Sequence, residues 1–254
     1  MLAVRGFGDG DPVVALHGFT STGTQFSSLK IPGRTIVAPD LPGHGDSSTV
    51  STDADATVAA IAELLETCGS GTPLVGYSQG ARLALSVAVT TRSRPACLIL
   101  MSGTAGIQNP EERELRHAAD IALGDEITSM GVERFIDRWI NSGLTDTSSL
   151  SIPEREADRE QRLANTAEGL AAAIRGYGQG ALAPVWWGLA TLDMPVLILT
   201  GERDQKYTAI GVELAAGIGT TAEHLVIHAA GHNLLAERPQ AVSAIVSGFL
   251  DGNC

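Results

Sequence analysis

Leu74-Val75-Gly76-Tyr77-Ser78-Gln79-Gly80-Ala81-Arg82 is the stretch on which the reading of this chain turns. Pro73 and two apolar residues lead into Gly-x-Ser-x-Gly, and an amphipathic run follows over residues 81–89. That order reads as strand, sharp turn and helix, with a serine at the apex. Such a turn strains the serine backbone and needs small neighbours, which Gly76 and Gly80 supply. It would lift the Ser78 hydroxyl above the strand ends. It would also leave the Gln79 N–H pointing where a negative oxygen could sit. The pentapeptide alone is a weak pattern; the strand before it and the helix after it give it weight.

Working outward, residues 2–4 and 13–16 read as strands around the turn Gly8-Asp9-Gly10-Asp11-Pro12, and residues 35–38 as a third. Asp53 caps a helix whose core face is Val58, Ile61, Leu65 and Cys68, closed by Gly69-Ser70-Gly71. Residues 96–101 and 196–200 are short apolar runs, as expected of parallel strands covered on both faces. Residues 225–227 make a last strand. Val242, Ile245 and Phe249 mark a closing helix over 241–250. Between them lies a stretch of charged, amphipathic helices (110–123, 132–141, 153–163, 168–175) with no convincing strand. The expected architecture is α/β: a mostly parallel sheet with helices on both faces, a core from residues 1–104 and 191–254, and a helical cap from 105–190. In such sheets, sites lie at the carboxyl ends of the strands.

A serine hydroxyl is a poor nucleophile or base until an imidazole takes its proton, and the imidazole needs an acid to fix its tautomer. Gly201-Glu202-Arg203-Asp204 follows the strand at 196–200, and Ala229-Ala230-Gly231-His232-Asn233 follows the last strand. Chain order and loop placement therefore select Ser78, Asp204 and His232 as a triad. A plain turn aspartate is the bland alternative for Asp204, with Glu202 as near neighbour. Of the other histidines, His17 precedes Gly18-Phe19 and reads as a brace of that loop. His44 sits in a turn-rich loop, His117 on a helix surface, and His224 and His228 flank the last strand. Oxyanion donors would be the N–H groups of Phe19 and Gln79.

The 254 residues carry 17 Lys and Arg against 29 Asp and Glu, a formal net charge of −12. That balance argues against nucleic acid and anionic membrane as partners, so an anionic ligand would need locally concentrated positive charge. No run approaches the ~20 apolar residues of a bilayer span. No basic-then-apolar leader is evident, which makes the cytoplasm the expected location. Cys68 and Cys97 read as small core residues, and Cys254 as incidental. No metal or cofactor is expected. His224, His228 and His232 fall four apart, but in extended chain that spacing separates side chains by roughly 13 Å. No Gly-x-Gly-x-x-Gly follows the first strand. The oligomeric state is open.

Arg82 is out of place in a plain esterase, where a small or apolar residue is usual four positions after the serine. It is either half of a structural salt bridge or an anion anchor, since guanidinium matches carboxylate in a bidentate fashion. The cap adds many arginines among many carboxylates, most of them suited to a solvated helix face.

Together, Leu16-His17-Gly18-Phe19, Asp40-Leu41-Pro42-Gly43-His44-Gly45, Gly76-Tyr77-Ser78-Gln79-Gly80, Gly201-Glu202-Arg203-Asp204 and Gly231-His232 resemble the α/β-hydrolase superfamily. Narrower signals resemble the 2-succinyl-6-hydroxy-2,4-cyclohexadiene-1-carboxylate synthases of menaquinone biosynthesis. These are Tyr77-Ser78 with Arg82, Ala105-Gly106-Ile107-Gln108-Asn109 with Glu112-Arg113, Gln205-Lys206-Tyr207 after Asp204, and Asn233, Glu237 and Pro239 after His232. The resemblance runs from about residue 12 onward and is weakest between about 141 and 190. It implies a lyase that eliminates pyruvate from a cyclohexene bearing several carboxylates, with the serine taking a proton from carbon and the oxyanion hole holding the enolate. It further implies that Tyr77, Arg82, Gln108, Arg113, Trp139 and Arg162 bind a small multi-carboxylate substrate. Gln79 departs from the family, where an apolar Leu or Met is commoner, as does Ala81, where Gly is. A serine hydrolase, an esterase or carbon–carbon bond hydrolase, would use the same triad. A non-catalytic binding protein on this fold would have little use for it.

Overall fold

The computed structural model describes residues 1–142, 147 and 149–254. Seven strands, β1 (Val4–Gly8), β2 (Asp11–Leu16), β3 (Arg34–Pro39), β4 (Leu74–Tyr77), β5 (Leu98–Met101), β6 (Val196–Gly201) and β7 (Ala222–Ile227), form one sheet in the order β1-β3-β2-β4-β5-β6-β7. β1 runs antiparallel to β3; every other pair is parallel. β4, β5 and β6 are buried at every position, which is why they are written as continuous apolar runs rather than alternating ones. The two faces still separate residue by residue. Leu98 and Leu100 join a core with Ile61, Leu83 and Val87, while Ile99 and Met101 join Phe26, Leu199 and Val246 on the other side.

The helices are α1 (Ala54–Cys68), α2 (Gln79–Thr90), α3 (Pro110–Met130), α4 (Val132–Trp139), α5 (Ile152–Arg162), α6 (Ala167–Tyr177), α7 (Gln205–Ile218), α8 (Leu234–Glu237) and α9 (Pro239–Asn253). Asp53 caps α1 by accepting the Ala56 N–H, and Asn109 caps α3 by accepting those of Glu111 and Glu112. Helices α3 to α6 fall between β5 and β6, and α3, α4 and α6 share a smaller core of Ile127, Phe135, Ile136, Leu170 and Ile174. β2 and β4 are neighbours, but the chain leaves them in opposite directions across the sheet. Their carboxyl ends therefore open a crevice at a topological switch point.

Three expectations need correction. The first strand is β1 at Val4–Gly8, not residues 2–4. Its Arg5-Gly6-Phe7-Gly8 sequence lacks a strand's usual composition and is extended by pairing with β3 through Gly8↔Thr35. His224 lies inside β7 rather than beside it. Cys254 is not incidental: α9 runs on to Asn253, carries Cys254 back to Cys97, and the two form a disulfide at a Cα–Cα distance of 6.6 Å. That distance is within the reach of such a bond.

Candidate active site

Ser78 sits between β4 and α2 at φ 53°, ψ −107°, a left-handed conformation for a non-glycine residue. Its own N–H donates to Met101 O at 2.8 Å. The flanking glycines are demanded by contact. A Cβ on Gly80 would stand 2.1 Å from Leu16 O, and one on Gly76 would stand 2.5 Å from the Ala81 Cα. His232 Nε2 lies 3.0 Å from Ser78 Oγ, and His232 Nδ1 lies 2.6 Å from Asp204 Oδ2. Asp204 also caps α7, its Oδ1 accepting the Tyr207 N–H at 3.2 Å. The imidazole is buried against the Tyr207 ring at 4.6 Å and the Tyr77 ring at 5.6 Å. With Nδ1–H given to the carboxylate, the Nε2 lone pair faces the hydroxyl and can take its proton. Glu237 holds the histidine loop by accepting the Gly231 N–H at 3.0 Å and pairing with Arg203.

Opposite Ser78, the loop after β2 is held at both ends of one residue. The Gly18 N–H donates to Gln25 Oε1 at 3.0 Å, and the Gly18 carbonyl lies 2.8 Å from His17 Nδ1. Leu41 N–H donates to His17 Nε2 at 2.9 Å, so Nδ1 is the protonated nitrogen and donates to that carbonyl. In a trans peptide the N–H points away from the C=O. Fixing Gly18 O therefore aims the Phe19 N–H the other way. Among the described residues, neither the Phe19 nor the Gln79 N–H has a protein acceptor. Burial pushes the His17 imidazole down to about 4, and burial likewise pushes His44 well below its ordinary value. The neutral ring required by this hydrogen-bond pattern is thus held.

The remaining candidates divide. Arg82 is half-buried; its Nη1 is shielded from solvent without a hydrogen-bond partner among the described residues, and the side chain forms no ion pair there. Burial pushes its pKa down; the nearest charges and hydroxyls it feels are Tyr207, Arg116, Asp120 and Tyr177. Arg116 is itself taken by Asp120 at 2.7 Å and Gln179 at 2.9 Å. Trp139 stands edge-on to Phe19 at 5.4 Å. Arg162 is fully buried and grips Asp158 with two nitrogens, at 2.7 and 3.0 Å, while Nη1 donates to Thr20 Oγ1. Its charge is already matched. Gln108 is exposed and Arg113 half-buried near the start of α3, and neither side chain bonds to the triad residues.

The sequence profile described as Alpha/beta hydrolase family matches residues 13–245. The chain is an enzyme of the alpha/beta hydrolase family. Within that family it is 32% identical over 244 residues to the 2-succinyl-6-hydroxy-2,4-cyclohexadiene-1-carboxylate synthase of Klebsiella pneumoniae, covering 94% of this chain and 93% of that one. It belongs on the branch of these synthases. The solved structure of MenH from S. aureus superposes with a TM-score of 0.92 at 27% identity, over 100% of this chain and 99% of that one. A malate-bound thermophilic esterase from Thermogutta terrifontis superposes with a TM-score of 0.83 at 26% identity, over 99% of this chain and 93% of that one.

Two residues of this alpha/beta hydrolase site were assigned no role from sequence. Tyr207 walls the imidazole, and its signal was position: three residues after Asp204, on the first turn of a helix. Gln25 holds the Gly18 N–H across seven residues, a contact made by the fold of the loop, which no local pattern announces.

Proposed function

We propose that this enzyme is a lyase of menaquinone biosynthesis. It would eliminate pyruvate from a carboxylated cyclohexene intermediate to give 2-succinyl-6-hydroxy-2,4-cyclohexadiene-1-carboxylate. His232, oriented by Asp204, draws the proton from Ser78, and the serine oxygen removes a proton from the ring carbon next to a ketone. The C–H electron pair passes onto the ketone oxygen as an extended enolate and returns to form the new ring double bond as the bond to the leaving group breaks. The leaving oxygen departs with the electron pair of the broken carbon–oxygen bond, and the enol so released takes up a proton to become pyruvate. The Phe19 and Gln79 N–H groups hold the enolate oxygen. Helices of residues 105–190 act as a cap over a core of 1–104 and 191–254, and Tyr77, Gln108, Arg113, Trp139 and Arg162 complete the substrate pocket with Arg82.

The observation that carries this reading is the half-buried Arg82 one helical turn beyond Ser78, whose guanidinium forms no ion pair among the described residues and whose Nη1 is shielded from solvent without a hydrogen-bond partner there. A guanidinium N–H shielded from water without an acceptor is costly, and a substrate carboxylate would offset that cost. An esterase acting on neutral acyl groups has no use for it. The second reading, a serine hydrolase, draws support from the same hydrogen-bonded triad and from the likeness to the esterase structure. The test supplies purified enzyme with the pyruvate-bearing cyclohexene and, separately, with p-nitrophenyl acetate. Fast, stoichiometric pyruvate release with slow ester cleavage is expected, and Ser78→Ala should abolish it while the circular dichroism spectrum is retained. Rapid ester cleavage without pyruvate release would establish the hydrolase instead.

A further inference from the structure

Thr20 follows Phe19 in the loop after β2, and its backbone stands at φ 69°. A β-branched residue rarely enters that left-handed region. It stays there only where its surroundings over-determine it. Thr20 is fully buried, and what grips it comes from the helices inserted between β5 and β6. Asn165, in the turn between α5 and α6, donates from Nδ2 to the Thr20 carbonyl at 2.7 Å. Arg162, the last residue of α5, donates from Nη1 to the Thr20 hydroxyl.

The Asn165 amide is engaged on both sides. Nδ2 also donates to Arg162 O at 2.9 Å, and Oδ1 accepts the Gly45 N–H at 2.9 Å. The residue is buried, so these bonds do not compete with bulk water. Aspartate has the same shape but no donor, and leucine has neither donor nor acceptor. The three bonds tie one turn to two core loops, the Phe19 loop and the loop of residues 40–45. The second attachment is close-packed: a Cβ on Gly169, in the first turn of α6, would stand 2.4 Å from Gly43 O. The anchor that holds Thr20 is thus itself held.

Phe19 therefore lies between two fastened residues. On one side the Gly18 carbonyl accepts from His17 Nδ1 at 2.8 Å and from the Ser21 N–H at 3.1 Å. On the other is Thr20, strained and clamped. We propose that Asn165 is a positioning residue of the catalytic centre: it pins Thr20 in the left-handed conformation and so keeps the Phe19 N–H aimed at the oxyanion. The inserted helices then set the oxyanion hole through the backbone of the Phe19 loop. This rests on the Phe19 N–H serving as an oxyanion donor, and it is independent of which substrate the enzyme turns over.

A mutant cycle between residues 165 and 20 tests it, read on p-nitrophenyl acetate or the cyclohexene, whichever the wild type turns over faster. Asn165→Asp keeps the shape and the acceptor for the Gly45 N–H but removes the donor to Thr20. It should lower kcat about tenfold with KM within about twofold, because an oxyanion donor acts in the transition state. Glycine takes a positive φ without strain, so in a Thr20→Gly background the same substitution should cost less than about twofold. Asn165→Leu, which is uncharged, carries the same cycle where the buried carboxylate unfolds the chain. Equal losses in the two backgrounds, losses confined to KM, or an undiminished kcat would overturn the proposal. A crystal structure of Asn165→Asp separates the clamp from the donor. Thr20 is expected to leave the left-handed region. An unmoved Thr20 overturns the clamp, and a displaced Thr20 with unchanged kcat overturns the Phe19 donor on which the proposal rests. A non-additive ester cycle without pyruvate release would sink the lyase and uphold the positioning role.

Discussion

Gln79 is the proposed backbone donor of this site, and its side-chain amide is buried without a partner among the described residues. The N–H has no protein acceptor among the described residues, the residue is 1% exposed, and neither Oε1 nor Nε2 has a partner there. A buried amide left unpaired costs about 1–3 kcal/mol, and an apolar side chain of similar size escapes that cost. Gln79→Leu should therefore raise the urea midpoint while the backbone donor stays in place. A lowered midpoint would mean that the amide is satisfied in solution. The same residue marks how far the sequence could be read at this scale. The position of its N–H after the sharp turn was legible, as was its departure from the usual Leu or Met, but the burial of its amide was not.

At the scale of elements, the ends of helices and strands carry the site. Asp204 closes the turn after β6 and caps α7 while its other oxygen meets His232. α7 was not foreseen, although Ile210, Leu214 and Ile218 fall at helical spacing after a capping aspartate. The catalytic reading of Asp204 hid its capping role; a carboxylate has two oxygens and here uses both. β1 was misplaced for the opposite reason: its identity lies in its pairing with β3, which the local sequence does not contain. By contrast α1 was legible because its signals are local, and its cap can be weighed. Asp53 Oδ1 accepts the Ala56 N–H at 2.9 Å, so Asp53→Ala should cost about 1 kcal/mol, read as a lower urea midpoint at unchanged m. No change would mean that water replaces the carboxylate fully.

At the scale of the molecule, the histidines beneath the Phe19 loop tie stability to pH. His17 is held near 4 and His44 well below its ordinary value, both through burial, whereas an unfolded histidine titrates near 6.5. On acidification from about pH 6.5 toward 4, the unfolded chain binds protons that the folded chain refuses, so stability falls through that window. The limiting slope is about 1.4 kcal/mol per pH unit for each such group. Urea midpoints measured between pH 7 and 5 should decline accordingly; a flat profile would mean these rings protonate without disturbing the fold. What the sequence could not deliver at this scale was long-range company. Ser78, Asp204 and His232 were legible from chain order and loop placement, and their side chains meet. Cys254 and Cys97 are 157 residues apart, and only the path of α9 brings them together. Arg162, read only through resemblance, proves to be matched by Asp158, whereas the half-buried Arg82 forms no ion pair among the described residues.

That contrast makes the most direct test a comparison of Arg82→Ala with wild type on two substrates, the multi-carboxylate cyclohexene and neutral p-nitrophenyl acetate. Loss of a buried charge-assisted contact is worth on the order of 2–5 kcal/mol, which is about thirty-fold or more in kcat/KM. A loss of that size in pyruvate release and little change in ester cleavage are expected. Equal losses on both substrates would contradict this, because Arg82 would then support the fold of the site rather than bind the substrate's carboxylate.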